Sequence, residues 1–108
     1  MHDANYDWRD ALIKGFEKHP NHDIILSGSI PPNPAHLLTN GRFEKLLEEA
    51  REEYDYIVVD TAPTILVTDT MLISKLADAT IYLVRANYTE KNLLNYSKDL
   101  YESGKLKN

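Results

Sequence analysis

The chain has 108 residues, 43% of them hydrophobic and 27% charged, with a formal net charge of −5 and no cysteine. That length suits one small domain with a modest core, and the composition excludes a disordered or fibrous chain. The acidic balance argues against nucleic acid as a partner, because phosphate backbones require clustered Lys and Arg; the absent thiols exclude disulfides, thiolate metal sites and cysteine nucleophiles.

No apolar run reaches the roughly 20 residues needed to cross a bilayer. Met1-His2-Asp3-Ala4 opens no basic-then-apolar leader, so the chain is expected to be soluble as it stands. The elements read helix, strand, helix, strand, helix, strand, helix, with no internal repeat. The first helix is predicted over 8–18: Asp7 is placed to cap it, and Trp8, Leu12, Ile13 and Phe16 fall on one face. Pro20 and Asn21 end it, and a short strand over 23–26 follows, closed by Ser27-Gly28-Ser29. Ile30-Pro31-Pro32-Asn33-Pro34 cannot be regular structure, since proline lacks an amide donor and restricts the residue before it. Asn33-Pro34 reads as a cap and first helical position, opening a short turn to Leu38.

The clearest helix runs over 43–54, with Phe43, Leu46, Leu47, Ala50 and Tyr54 at helical spacing. Glu48 and Glu52 place negative charge toward its C-terminal end, where the helix dipole disfavours it, so packing is expected to hold this helix. Residues 56–60 are a continuous apolar run ending in Asp60, which suggests a strand covered on both faces, as in a parallel sheet. Thr68 is placed to cap a helix through Met71, Leu72, Ile73 and Leu76; 79–84 is a second buried strand; Thr89 is placed to cap a last helix with Leu93, Leu94, Leu100 and Tyr101 inward. Strands alternating with helices imply right-handed crossovers and a mainly parallel sheet. Both ends are abrupt, one helix with no strand before it and one with none after, and so read as cut.

The chemistry concentrates at Ile57-Val58-Val59-Asp60-Thr61-Ala62-Pro63. In open α/β sheets ligands bind outside the carboxyl ends of strands, and a carboxylate there can hold magnesium while phosphates complete its shell. This is the work of a Walker B aspartate; the plainer reading is that Asp60 merely caps the next turn. Asp69 either supports that mouth or, as favoured, is a first-turn acid complementing a helix dipole. Arg85 ends the 81–84 run, where it can reach a phosphate or nucleobase or simply pair with an acid in solvent. No G-x-x-x-x-G-K-[ST] loop is present; the one Gly-Lys pair, Gly104-Lys105, lies at a helix end. His2, His19, His22 and His36 are scattered and read as surface residues, and the seven tyrosines form no cluster.

Taken together, Leu26-Ser27-Gly28-Ser29-Ile30-Pro31-Pro32-Asn33-Pro34, Arg42-Phe43-Glu44-Lys45-Leu46-Leu47, Tyr54-Asp55-Tyr56-Ile57-Val58-Val59-Asp60-Thr61-Ala62-Pro63, Val67-Thr68-Asp69, Ala77-Asp78-Ala79-Thr80 and Leu83-Val84-Arg85 resemble the cytoplasmic domain of bacterial tyrosine autokinases. These belong to polysaccharide co-polymerase systems for capsule and exopolysaccharide, and the likeness runs from about His22 to Thr89. The resemblance implies an α/β fold, part of a P-loop NTPase-type, mainly parallel sheet in three α/β/α layers, with residues 1–108 forming a single partial domain. It implies ATP and magnesium as cofactors of the intact protein. Asp60 takes the Walker B position and holds the metal, directly or through water, while Pro63, Asp69 and Arg85 complete the cofactor-binding set. The family usually has proline where Ala62 stands.

The implied activity is transfer of a phosphoryl group to the protein's own tyrosines within an oligomeric ring. The ring sits at the cytoplasmic face of the bacterial inner membrane, beside a membrane-spanning activator. The Walker A loop and the tyrosine-rich tail of the family are absent from these 108 residues, so the chain alone is expected to bind no nucleotide tightly and to be inactive. The strand at 56–60 is expected to show an unpaired apolar edge. Two other readings stay open on the residues: a fragment of a partition- or cell-division-type ATPase, which shares the Asp60 motif, and a non-catalytic α/β interaction module.

Overall fold

The computed structural model describes residues 6–28, 38–61 and 68–106, and of 68–70 the backbone alone. The chain divides into two compact units, Met1–Ile57 and Val58–Asn108.

In the first unit, Asp7 Oδ1 accepts the Arg9 amide at 3.0 Å and caps a single 3₁₀ turn, Trp8–Ala11. The chain then leaves the turn at Leu12 in an extended conformation and enters β1, Leu12–Lys14. β1 pairs antiparallel with β2, Asp23–Ile25, setting Leu12 opposite Ile25, Ile13 opposite Ile24 and Lys14 opposite Asp23. The helix predicted over 8–18 is therefore corrected to one turn and a strand. Two local facts explain it. Glycine at position 15 weakens a helix by about 1 kcal/mol relative to alanine, and here its amide instead donates to the His22 carbonyl at 2.8 Å. A Cβ at Gly15 would lie 2.2 Å from His22 Nδ1, so a larger residue there would have to displace the His22 ring. β-branched Ile13 then pairs across the ladder with Ile24. Phe16, expected on an inward helix face, stays 69% exposed and stacks on His22 with ring centroids 5.5 Å apart.

Helix α1, Arg42–Glu53, stands where periodicity placed it. Gly41 precedes it at φ 81°, and Asn40 Oδ1 accepts the Arg42 amide at 3.1 Å. Its buried side chains are Leu47 and Ala50. Charge also holds this helix, through acids other than Glu48 and Glu52. Trp8 Nε1 donates to Glu49 Oε2 at 2.8 Å, and Arg9 donates to Glu49 and Glu53 while stacking on the Trp8 ring at 4.5 Å. Spaced by four, Glu49 and Glu53 share one helix face, so one guanidinium reaches both. The indole hydrogen bond is the main reason the Glu49 carboxyl lies below its usual range. At the helix end, Tyr54 Oη donates to Asp23 Oδ2 at 2.5 Å and Lys14 Nζ to Asp23 Oδ1 at 2.8 Å. These two donors, Lys14 first, hold the Asp23 carboxyl low, and the same bond to Asp23 pushes the Tyr54 phenol up.

The second unit contains α2, Thr68–Leu76, and α3, Lys91–Glu102, both foreseen from periodicity. Ser74 is buried, its hydroxyl 2.8 Å from the Lys105 carbonyl and 3.1 Å from that of Met71. The end of α3 closes on Gly104 at φ 73°: the Gly104 amide donates to Tyr101 at 3.0 Å and the Lys105 amide to Leu100 at 2.9 Å. This is a Schellman cap, and the apolar residues beside it, Leu100 and Leu106, are both buried. The Gly104-Lys105 pair is thus a helix stop, as its position suggested.

The strands predicted at 56–60 and 79–84 carry no ladder. Among the described residues the sheet is the antiparallel β1–β2 pair alone, and Val58, Ile81 and Leu83 are 91%, 85% and 87% exposed. The reason is physical. A helix closes its hydrogen bonds within its own segment, whereas a parallel strand needs neighbours for its amides and layers on both faces. Thr80 Oγ1, inside the second run, is buried with no hydrogen-bond partner among the described residues. The loop at Ser29-Ile30-Pro31-Pro32-Asn33-Pro34, with its cap at Asn33, lies outside the described residues.

Candidate functional site

Asp60 follows directly on the apolar run Ile57-Val58-Val59 and is exposed. No hydrogen bond or ion pair from the described residues engages its carboxylate. Its alternative role, capping the turn that follows, concerns residues 62–67, which lie outside the described residues together with Pro63. Asp69 falls in the first turn of α2, as a dipole-complementing acid would; its side chain is not among those described.

Arg85 is the best-defined member of the predicted set. Its amide donates to Thr89 Oγ1 at 2.8 Å, and its carbonyl accepts the amides of Tyr88 at 3.2 Å and Thr89 at 2.9 Å. Asn87, at φ 60°, turns the chain through the left-handed region that asparagine tolerates. The guanidinium lies 5.2 Å from the centroid of the Tyr88 ring, a cation–π contact. Among the described residues the guanidinium pairs with no acid, the plainer of its two foreseen roles, and meets the face of the Tyr88 ring instead. Thr89 is likewise corrected. Its hydroxyl serves the Arg85 turn rather than α3, whose N-cap residue is Glu90, with no side-chain capping bond. Turn formation wins because a threonine four residues after Arg85 meets a backbone donor that no ladder has used.

Tyr88 is the residue that sequence reasoning missed. The signal was an Arg and a Tyr three apart across an asparagine-bearing turn, visible only once 81–85 is not read as a strand.

A magnesium–nucleotide site needs several oxygen ligands and a phosphate cradle. Among the described residues no three His, Cys, Asp or Glu side chains gather closely enough to hold a metal. Nothing joins Asp60 to Arg85 there, and the sequence has no phosphate-binding loop. His19 and His22 line the β1–β2 loop beside Phe16, while His2 and His36 lie outside the described residues. Among the described residues no helix is long and apolar enough to cross a membrane.

Comparison with known proteins complements this geometry. No family model matches the chain, and no solved structure gives a significant match. Curated proteins do. The chain is 35% identical over 79 residues to the tyrosine-protein kinase CpsD of Streptococcus agalactiae serotype III, covering 73% of this chain and 34% of that protein. It is 35% identical over 97 residues to the tyrosine-protein kinase YwqD of Bacillus subtilis, covering 90% and 40%. It is 31% identical over 88 residues to the tyrosine-protein kinase ptk of Acinetobacter johnsonii, covering 82% and 12%. The chain therefore spans about a third of the length of CpsD and somewhat more of YwqD. With similarity of this kind running through up to 90% of its residues, the chain belongs to the bacterial tyrosine-protein kinase family.

Proposed function

We propose that this chain is part of a protein-tyrosine autokinase that uses ATP and magnesium to phosphorylate its own tyrosines, and so regulates the polymerisation and export of capsule or exopolysaccharide. The observation that carries the reading is the alignment through 90% of the chain with a tyrosine-protein kinase. The exposed carboxylate of Asp60, which nothing described engages, supports it.

In this reading Asp60 is the Walker B ligand of magnesium, directly or through water, and Pro63, Asp69 and Arg85 border the nucleotide. The phosphate cradle comes from sequence beyond these residues, where the parallel three-layer sheet is also completed around 56–60 and 79–84. The intact protein works as an oligomeric ring at the cytoplasmic face of the inner membrane with a membrane-spanning activator, and nucleic acid is not its partner. Phosphoryl transfer rests on positioning and charge stabilisation, so the isolated chain neither binds ATP tightly nor turns it over.

A segment exchange tests this. The stretch of YwqD that aligns with this chain is replaced by this chain, and phosphotyrosine formation is followed with magnesium and ATP. The exchanged kinase should label its own tyrosines, and Asp60→Asn should lower that rate by about 100-fold, as expected when several kcal/mol of metal-borne charge stabilisation is lost. The isolated chain, run alongside, should show no saturable ATP binding at micromolar nucleotide. A folded exchange protein whose rate ignores Asp60→Asn would refute the assignment.

A further inference from the structure

We propose that Tyr88 is a phosphoryl acceptor and that Arg85 holds the phosphate once it is attached; this rests on the kinase reading above and extends it to a specific tyrosine. In the reaction, Tyr88 Oη forms a bond to the γ-phosphorus of ATP held by an intact kinase of the family. The bond from that phosphorus to the β–γ bridging oxygen breaks, ADP leaves, and the phenol proton passes to solvent or a base of the kinase.

Exposure, local structure and charge together separate Tyr88 from the other tyrosines, several of which are also exposed. Tyr88 is 77% exposed, whereas the Tyr54 hydroxyl is already spent on Asp23 at 2.5 Å. Tyr96 and Tyr101 sit within α3, whose closed backbone cannot extend into an active site without unwinding. Tyr88 lies in a surface turn closed by exposed bonds around Arg85 and Thr89, so local opening is cheap. Tyr56 is as exposed, at 89%, but Asp55 adjoins it and Asp60 follows, with no Lys or Arg nearer in sequence than Arg51. A phosphate there would meet like charge.

At Tyr88 the charge environment is the reverse. The Arg85 guanidinium already stands over the ring, no acid pairs with it among the described residues, and a modest swing carries its donors from the ring face to the phenol end. Lys91 opens α3 just beyond and offsets Glu90, and the first turn of α3 has no acid to compete.

The test incubates the full chain with intact YwqD, magnesium and ATP, and maps phosphate by tandem mass spectrometry, with YwqD's labelling of itself as the internal control of transfer. Tyr88 should carry at least half of the phosphate incorporated into the chain, and Tyr88→Phe should remove that share. Circular dichroism of the variant confirms an unchanged fold. In ³¹P spectra the second ionisation of the Tyr88 phosphate should lie lower in the unsubstituted chain than in Arg85→Ala. Labelling of Tyr56 or Tyr101 with Tyr88 empty would overturn the acceptor assignment. Equal ionisation with and without Arg85 would overturn the arginine's role. Neither result bears on the Asp60 exchange experiment, so the two proposals fail separately.

Discussion

Gly104→Ala isolates a backbone cost from any packing cost. Gly104 occupies φ 73° at the end of α3, and a Cβ built there meets no heavy atom within 4 Å. The substitution therefore creates no clash and removes no contact; it only forces an L-residue into the left-handed region, at about 1–2 kcal/mol. The loss of chain entropy in the unfolded state offsets roughly 0.4–1 kcal/mol of this. The net destabilisation is about 0–1.6 kcal/mol, centred near 0.8 kcal/mol, which corresponds to a fall of roughly 3–6 °C in Tm for a domain of this size. Gly104→Asn should cost less, since asparagine tolerates the conformation. Gly28→Ala, also in open space but without a positive φ, should keep only the entropic gain and stabilise by roughly 0.4–1 kcal/mol. Thermal melts followed at 222 nm read the ordering, and amide exchange at Lys105 and Leu106, both bonded to the Leu100 carbonyl, reads the cap directly. An unchanged Tm with undiminished protection of those two amides would refute the Schellman assignment.

Two further outcomes follow from exposure and charge. The uncovered runs around Val58, Ile81 and Leu83 should drive concentration-dependent association in light scattering. Val58→Lys with Leu83→Lys should suppress it with little change in Tm; association that persists in the double variant would shift the cause to other surfaces. The first unit should lose amide protection at both pH extremes. Asp7, Asp23 and Glu49 have folded pKa values below their ordinary 3.8 and 4.5, so their stabilisation is full above those values and disappears as pH falls through the lower folded ones. Tyr54 has its pKa raised above 10.0, so its contribution is full below that value and is lost as pH rises through the folded one. Tyr54→Phe should abolish the alkaline limb in a hydrogen-exchange pH series, and an unaltered limb would argue against the Tyr54–Asp23 bond.

Much of this protein is readable as a string of residues. Apolar spacing located a helix over 43–54, helices opening at Thr68 and after Thr89, and a strand over 23–26, against the observed Arg42–Glu53, Thr68–Leu76, Lys91–Glu102 and Asp23–Ile25, and the family came from the order of short motifs ending at Arg85. The site was legible as a set of candidates: Asp60 at the end of its apolar run, Arg85 at the end of the next. Their partners were not. Trp8, Leu12, Ile13 and Phe16 satisfy a helical period, yet Gly15 and the facing Ile24 and Ile25 turn that stretch into a strand. Tyr54 and Asp23 lie 31 positions apart, and no local pattern announces their bond. The division has one cause. Helical bonds and glycine caps are made among near neighbours, so residue order suffices to specify them. Strand ladders, charge clamps such as Arg9 on Glu49 and Glu53, and a cation over a ring depend on which distant or turned-back groups are present to meet. Folding in three dimensions settles those; among the described residues Val58 and Leu83 are exposed, as an apolar edge without its neighbouring strands would be.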